Sequence, residues 1–409
     1  MGLTSITELL TLLGEPHKAF HVLHVGGSNG KGSTAAMAAS ILTRAGYRVG
    51  LYTSPHLSRF NERIRVGGKN IPNRRVVELS RRIASVLTTD GVNLESTFFE
   101  FTTAMAFLYF AECAIDVAVI EVGMGGRLDA TNVVRPLVSI ITNVSRDHEK
   151  VLGSGVRAVA REKAGIIKRG IPVITAARGV ALQVVEEVCQ KVDAPLYRYG
   201  REFTVAATEE GENFSFIAGE DVPITGLRSV LMGRHQYLNA ACAIMAATLM
   251  TERGYAIGES AVRGGLISVR WPARMEVLGR EPTVLVDCAH NPAGADALKD
   301  ALPRFLYKRL FLVIGIMADK DIKRITANLV PLADRVIVTR AASERAAAVD
   351  LLVKAVRPYG KPVEVVEEVP RACGVALSMA ARDDLVCITG SVYVAGEARL
   401  FMVSKGATA

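Results

Sequence analysis

Short apolar runs alternate along this chain with longer stretches whose apolar residues recur every three or four positions. A short, uninterrupted apolar run suits a strand buried on both faces, and the three-to-four spacing lines one face of a helix. The pattern predicts strands at about 22–25, 48–52, 117–121, 137–142 and 172–175, with helices between them. Such alternation builds parallel sheets covered on both faces. Between 204 and 227, with a turn at 209–213, the spacing becomes that of short antiparallel strands attached to the first unit. An alanine-rich helix is then expected at 235–250. The proline-containing RWPARM segment at 270–275 interrupts the pattern and reads as a hinge, extending to about 282. A fresh alternation follows, with strands expected at 283–287, 310–314, 335–338, 363–366 and 385–389. The chain therefore reads as two α/β domains, residues 1–272 and 273–409, without an internal repeat. Junctions between such domains favour ligand clefts.

Composition narrows the class. A chain of 409 residues, half of them apolar, can bury two substantial cores. No apolar run has the length of a membrane span. The opening MGLTSITELL lacks a basic start and apolar core, and Ile6 stands where a myristoylation signal needs Ser or Thr. Six cysteines are scattered without a C-x-x-C pair, five among apolar neighbours, as expected of reduced core thiols in a cytoplasmic protein. The net charge of +8 is not gathered into long basic runs, and a small anionic substrate explains it as well as nucleic acid would. Neither a nucleic-acid partner nor a membrane is expected.

The stretch HVLHVGGSNGKGST at 21–34 reads as a buried strand, a glycine turn and a helix start. Gly27, Gly30 and Gly32 permit close backbone approach and positive φ, so that several N–H groups can converge on an anion. Lys31 adds a movable charge. Ser33 or Thr34 offers a hydroxyl to a magnesium ion on the same nucleotide, beside the positive end of the helix dipole. The order Lys-Gly-Ser departs from the usual G-x-x-x-x-G-K-[ST] spelling. Downstream, IEVGMGGRLDATN at 120–132 ends an apolar strand on Glu121, a position where wound sheets place metal-binding carboxylates. One strand later, Asp147 and His148 follow the 137–142 run, and a neutral imidazole also suits a divalent ion. Periodicity alone makes Lys163, in AREKAGI, a lysine that snorkels or pairs with an acid.

The motifs GGSNGKGST, YTSPHLSRFNERIRV, FFEFTTA, EVGMGGRLDATN, the Asp147–His148 loop, REKAGI, GRHQYLNAA, DCAHNP and GIMADKD run in order from about Leu9 toward the C-terminal TGSVYVAGEAR. Together they resemble folylpolyglutamate synthase and the related dihydrofolate synthase, in the Mur ligase superfamily. The resemblance implies an N-terminal P-loop ATPase domain plus a C-terminal doubly wound, Rossmann-like domain. It implies an ATP-dependent ligase that joins L-glutamate to folate or dihydropteroate through an acyl phosphate, with magnesium bound. By motif position, Asn29, Gly30, Lys31, Gly32, Ser33 and Thr34 would cradle the phosphates, and Ser54, Glu121 and His148 would hold the metal. Lys31, Lys163 and His148 form the implied catalytic set, with Lys163 carried as a carbamate. Asn239 resembles an asparagine near the adenine, and Arg274, Asp287 and His290 resemble nucleotide contacts from the second domain. Asn291 belongs to the same turn, and Lys320 and Asp321 resemble a loop that helps place glutamate. A pterin pocket is expected around 98–103 and 127–132, and a monomer is implied.

Two departures stand out. Family members commonly begin with a further helix and glycine-rich turn before the segment starting here at Ile6, so the start is expected to be short or the pterin site built differently. SRDHEK replaces a hydrophobic-Asp-His-Thr pattern and puts Arg146 and Glu149 beside His148. Competing expectations are another Mur-type amino-acid ligase, which would ordinarily carry an N-terminal UDP-sugar domain, and a noncatalytic P-loop switch.

Overall fold

The computed structural model describes residues 2–90, 93–145, 149–208, 213–220 and 222–406, the side chains of residues 149 and 150 aside. His148 and its neighbour Asp147, and most of the expected 209–213 turn, lie outside the described residues. The chain divides into two compact units, the first comprising residues up to His56, Phe60–Val230 and His235–Arg270. The second comprises Leu57–Arg59, Leu231–Arg234 and the chain from Trp271 onward. None of the described helices is long and apolar enough to cross a membrane.

The first unit is built on strands β1 (His21–Gly26), β2 (Val49–Tyr52), β3 (Ile64–Val66), β4 (Lys69–Asn70), β5 (Val117–Glu121), β6 (Val138–Ile141), β7 (Val173–Thr175) and β8 (Leu196–Arg198). They form one sheet in the order β4-β3-β2-β5-β1-β6-β7-β8. All neighbouring pairs from β2 to β8 are parallel, and β3 and β4 add an antiparallel hairpin at one edge. The central strands are buried along nearly their whole length, which is why their sequences are continuous apolar runs rather than alternating ones. Because β1 lies between β5 and β6, the loops leaving β1, β2, β5 and β6 share one carboxyl edge of the sheet. Helices cover the faces. The Phe98–Glu112 helix opens with a capping box, in which Thr97 Oγ1 accepts from Glu100 N (3.2 Å) and Glu100 Oε2 accepts from Thr97 N (2.8 Å).

Strands β9 (Phe203–Ala207), β10 (Phe214–Ala218) and β11 (Ile224–Leu227) are the expected short antiparallel strands, and they form a three-stranded sheet of their own. The alanine-rich helix spans Arg234–Thr251 and is buried on nearly every side, consistent with its lack of a polar face.

The second unit contains β12 (Glu276–Arg280), β13 (Thr283–Val286), β14 (Leu310–Ile314), β15 (Arg335–Arg340), β16 (Val363–Glu368) and β17 (Leu385–Thr389), ordered β12-β13-β17-β14-β15-β16. Five of these strands match the expected positions. The sixth corrects the hinge: residues 276–280, expected within a 270–282 linker, pair antiparallel with β13 and belong to the sheet. Apolar clusters on both faces of this sheet make it doubly wound.

Candidate active site

The loop after β1 is held from below by the loop after β6. Asn143 Oδ1 accepts from Asn29 N (3.0 Å), and Asn143 Nδ2 donates to Asn29 O (2.8 Å). Thr142 Oγ1 also donates to Asn29 O (2.7 Å), and Ser28 N donates to Asn143 O (2.8 Å). Ser28 Oγ donates to Ser145 O and accepts from Ser145 N. With these side chains committed to shaping the loop, the remaining backbone is displayed at the mouth of the Lys31–Arg44 helix. Two glycines are obligatory here. A Cβ on Gly27 (φ +137°) would fall 2.0 Å from Thr142 Oγ1, and one on Gly30 (φ +82°) would fall 2.2 Å from Asn239 Oδ1. Asn239, expected near the adenine, is thus placed against the phosphate loop itself, buried and donating to Gln236 Oε1 (2.9 Å).

Lys31, at the first position of the helix, donates from Nζ to Ser28 O (3.2 Å), curled over its own loop. Gly32 follows within the first turn. Ser33 and Thr34 are buried in the same turn, and Thr34 N donates to Gly30 O (2.8 Å). Thr34 Oγ1 is buried without a hydrogen-bond partner.

Glu121 ends β5 in register with Val25, just before the glycine loop on the neighbouring strand. Its carboxylate is buried, and Oε2 accepts from Ser54 N (3.2 Å), which follows β2. The structure therefore joins two of the three expected metal ligands, and the third, His148, falls outside the described residues. No group of three or more His, Cys, Asp and Glu side chains placed to hold a metal ion occurs among the described residues. A buried carboxylate beside a serine, at a sheet edge facing a phosphate loop, is nevertheless an oxygen donor set suited to a hard divalent cation.

Lys163 does not snorkel. It is buried, on the last turn of the Val156–Ala164 helix, and Nζ donates to Gly27 O (2.8 Å). A lysine from a separate helix thereby touches the phosphate loop.

Sequence reading missed the supports of the 122–133 loop. His24, wholly buried in β1, has Nε2 2.9 Å from Thr131 Oγ1, while the Thr131 hydroxyl donates to Asp129 Oδ1 (2.5 Å). Since the hydroxyl proton goes to the carboxylate, His24 must donate from Nε2, leaving Nδ1 as a buried acceptor without a partner. Burial, helped by the Lys168 charge, pushes the His24 pKa down to about 3, so this imidazole is neutral. Burial raises the Asp129 carboxyl and lowers the Lys168 amine. The signal was an isolated His inside an apolar strand.

In the second unit, Asp287 follows β13 and spends its carboxylate on backbone. Oδ2 accepts from Met275 N (2.9 Å) and Oδ1 from Ala289 N (2.8 Å). These bonds hold Arg274 between Ala273 and Met275, two residues with positive φ. His290 Nδ1 lies 2.9 Å from Cys288 O, and Asn291 caps the next helix by accepting from Gly294 N (2.8 Å). Asp321 is a helix cap as well, accepting from Arg324 N (3.1 Å), whereas the Lys320 side chain is only 8% exposed and sits 3.7 Å from Asp319. The structure gathers Arg274, Asp287 and His290 at one strand end, and the side chain of Lys320 is largely covered.

A glycine loop on a parallel sheet, a buried carboxylate and lysine around it, and a second doubly wound α/β unit define a two-domain Mur-type, ATP-dependent carboxylate–amine ligase. The Mur ligase middle domain family matches residues 25–247, and the Mur ligase glutamate ligase domain family matches residues 273–392. The dihydrofolate synthase/folylpolyglutamate synthase of Bacillus subtilis is 36% identical over 97% of this chain and 94% of its own length. Escherichia coli FolC in complex with DHPP and ADP superposes with a TM-score of 0.91 at 30% identity, covering 99% of this chain and 94% of that one. A bifunctional folylpolyglutamate synthase/dihydrofolate synthase with Mn, AMPPNP and L-glutamate bound gives 0.89 at 28% identity, over 99% and 94%. The chain belongs to the dihydrofolate synthase/folylpolyglutamate synthase family.

Proposed function

We propose that this chain uses ATP to join L-glutamate to a carboxylate of a folate and of dihydropteroate, with the chemistry centred on the carboxyl edge around Gly27–Lys31, Ser54, Glu121 and Lys163. The observation that carries the reading is the Lys163–Gly27 bond together with the Ser54–Glu121 bond, which gather β1, β2, β5 and a distant helix at one point.

A carboxylate is a poor electrophile, so it must first be given a leaving group. An oxygen of the acceptor carboxylate attacks the γ-phosphorus of ATP, and the bond to the bridging oxygen breaks, its electron pair leaving with ADP. The glutamate amine then attacks the acyl carbon. The carbon–oxygen bond to phosphate breaks, phosphate departs, and a proton leaves the nitrogen. The backbone N–H groups of the glycine loop and the start of the Lys31–Arg44 helix bind the phosphate oxygens, and Lys31 Nζ swings from Ser28 O onto the transferring group. Positioning and charge neutralisation do the rest. Ser54 and Glu121, with His148 by resemblance, would hold magnesium, which when bound neutralises phosphate charge and polarises the γ-phosphoryl group.

Lys163 is proposed as a carbamate. Its neutral amine attacks carbon dioxide, a C–N bond forms, one C=O π pair moves onto oxygen, and one N–H proton goes to solvent. The nitrogen keeps one proton, so the bond to Gly27 O survives the change while the charge reverses. Residues 1–272 are proposed as the ATP-binding domain and 273–409 as the glutamate-ligase domain. Phe98, 64% exposed with the Arg63 guanidinium 5.5 Å from its ring centre, is proposed as one wall of the acceptor pocket and 127–132 as another. The proposed state is a monomer and the proposed setting the cytoplasm.

Incubation with ATP, magnesium and labelled glutamate, separately with dihydropteroate and tetrahydrofolate, tests the reading. Label should enter both products. Entry into one alone narrows the acceptor, and entry into neither refutes the proposal.

A further inference from the structure

The helix that carries Lys163 ends at Ala164, and its last carbonyls need donors from elsewhere. The turn that follows supplies Gly165 N, Ile166 N and Ile167 N to the carbonyls of Glu162, Lys163 and Ala164, and the loop that leaves Glu121 adds a further donor to the first of them. Arg127 N donates to Glu162 O (2.8 Å), and its guanidinium donates to Glu162 Oε1 through Nε (3.1 Å) and Nη2 (2.9 Å). The contact leaves no room for side chains. A Cβ on Gly126 would fall 2.8 Å from Glu162 O and 3.0 Å from Lys163 O, and one on Gly165 would fall 2.3 Å from Arg127 Cβ.

Asn132 closes this seam. It is buried, and its Nδ2 donates both to Arg127 O (3.0 Å), within the loop, and to Gly165 O (3.0 Å), two residues beyond Lys163. Both partners are carbonyls, so only the amide nitrogen fits there and its orientation is fixed. The Asn132 backbone carbonyl in turn accepts from Lys168 Nζ (3.1 Å), and the adjacent Thr131 is tied through His24 to β1. One short segment thus runs from Glu121, at the end of β5, to the turn that sets the depth of Lys163, with both ends pinned.

We propose that Asn132 is a positioning residue for Lys163: it fixes the spacing between the Lys163 helix and the Glu121 strand, so that the lysine nitrogen meets Gly27 O on the metal-binding side of the phosphate loop. The inference rests on the reading of Glu121 and Lys163 as the metal-supporting pair. The role assigned to the Asn132 amide is this spacing, apart from the acceptor-pocket wall proposed for the 127–132 segment.

The test compares wild type with Asn132→Ala, Asn132→Asp and Arg127→Ala. Arg127 is 57% exposed in its side chain, so its loss leaves the core intact. Carbon-13 NMR with labelled bicarbonate reads the carbamate, Mn²⁺ titration followed by electron paramagnetic resonance reads the metal site, and thermal melts report folding. Losing a support of metal ligands commonly weakens binding about 10–100-fold. Asn132→Ala should lose most of the carbamate signal and weaken Mn²⁺ binding within that range. Asn132→Asp should do so more severely, because it turns a carboxylate onto two carbonyls, and Arg127→Ala should do so mildly. Folded Asn132→Ala and Arg127→Ala proteins with wild-type carbamate signal and Mn²⁺ affinity would overturn the inference. If wild type itself shows no carbamate, that reading of Lys163 falls. The spacing role is then decided by Mn²⁺ affinity, with unchanged affinity in Asn132→Ala refuting it.

Discussion

At the residue scale, Gly30 and Asn239 form a lock that only glycine permits. Gly30→Ala meets two obstacles: a left-handed φ of +82° and a Cβ placed 2.2 Å from Asn239 Oδ1. The first costs about 1–2 kcal/mol, and the second forces Asn239 off the loop. We expect Gly30→Ala to lower the melting temperature and to weaken ADP binding at least about tenfold, since a loop N–H displaced from its phosphate loses a charge-assisted bond of about 1.5–3 kcal/mol. Adding Asn239→Ala removes the collision and leaves the backbone strain. Isothermal titration of the double variant should therefore recover part of the lost affinity, and no recovery would show that Asn239 does not press on the loop.

His24 gives a second prediction, with a definite sign. Its folded pKa of about 3 lies below the ordinary 6.5, so the unfolded chain binds more protons between those values. The contribution of His24 to stability is complete above about pH 6.5 and shrinks as the pH falls. At pH 5 it should be smaller than at pH 7 by ~2 kcal/mol. Asp129, raised by burial, works in the opposite direction in the same network. Urea unfolding at both pH values should show that His24→Gln, whose amide can still donate to Thr131, loses less stability on acidification than wild type. Equal losses would mean that His24 is not held neutral.

At the element scale, the helix behind the phosphate loop is set by a glycine pair. The Glu259–Ser268 helix lies on the Lys31–Arg44 helix, where Ser40 Oγ donates to Gly265 O (2.7 Å) and Arg44 Nη2 to Ser268 Oγ (2.5 Å). A Cβ on Gly265 would fall 2.6 Å from Ile41 Cα, whereas one on Gly264 would meet nothing nearer than Arg44 Cδ at 3.6 Å. The two neighbours should therefore respond with opposite signs. Gly265→Ala must push the helices apart and is expected to cost about 1–3 kcal/mol. Gly264→Ala gains helix propensity, up to about 1 kcal/mol, without a clash. Thermal melts that shift in the same direction would refute this account of the helix contact.

The same contrast between local and long-range causes explains what could be read in the sequence. The central strands were legible because burial on both faces writes them as apolar runs, and β14 and β17 match their expected limits. The β3–β4 hairpin was not, since its strands, I-R-V and K-N, span only three and two residues, too few for a period to show, although the Gly67–Gly68 pair between them, both with positive φ, is a hairpin signal. The strand β12 was absorbed into a hinge because a proline on each side masked E-V-L-G-R. At the site, the glycine loop and Glu121 were visible as local patterns at strand ends. The Asn143 clasp, the His24–Thr131–Asp129 chain and the Asn132 seam were invisible, because each joins residues brought together by the order of strands in the sheet.

At the scale of the whole molecule, the question is whether ATP turnover is tied to the acceptor. A nucleotide switch needs a phosphate loop and a water molecule as the phosphoryl acceptor, and it would release ADP without any other substrate. A ligase of the proposed kind needs the acceptor carboxylate as the nucleophile, and hydrolysis by water would waste the activated group. The chain invests more than a switch requires: a buried lysine on the loop carbonyl, a carboxylate paired with Ser54, and a second α/β unit with its own polar strand end. ADP release should accordingly be negligible with ATP and magnesium alone and should rise at least about a hundredfold when folate and glutamate are both present, as expected when a bound nucleophile replaces water and is held in line. Folate without glutamate should give at most one ADP per enzyme in a rapid burst, because the acyl phosphate then waits for its amine. A coupled ADP assay run with each substrate omitted in turn decides the matter, and steady ADP release that ignores both organic substrates would make this chain a phosphate-loop switch on a ligase scaffold.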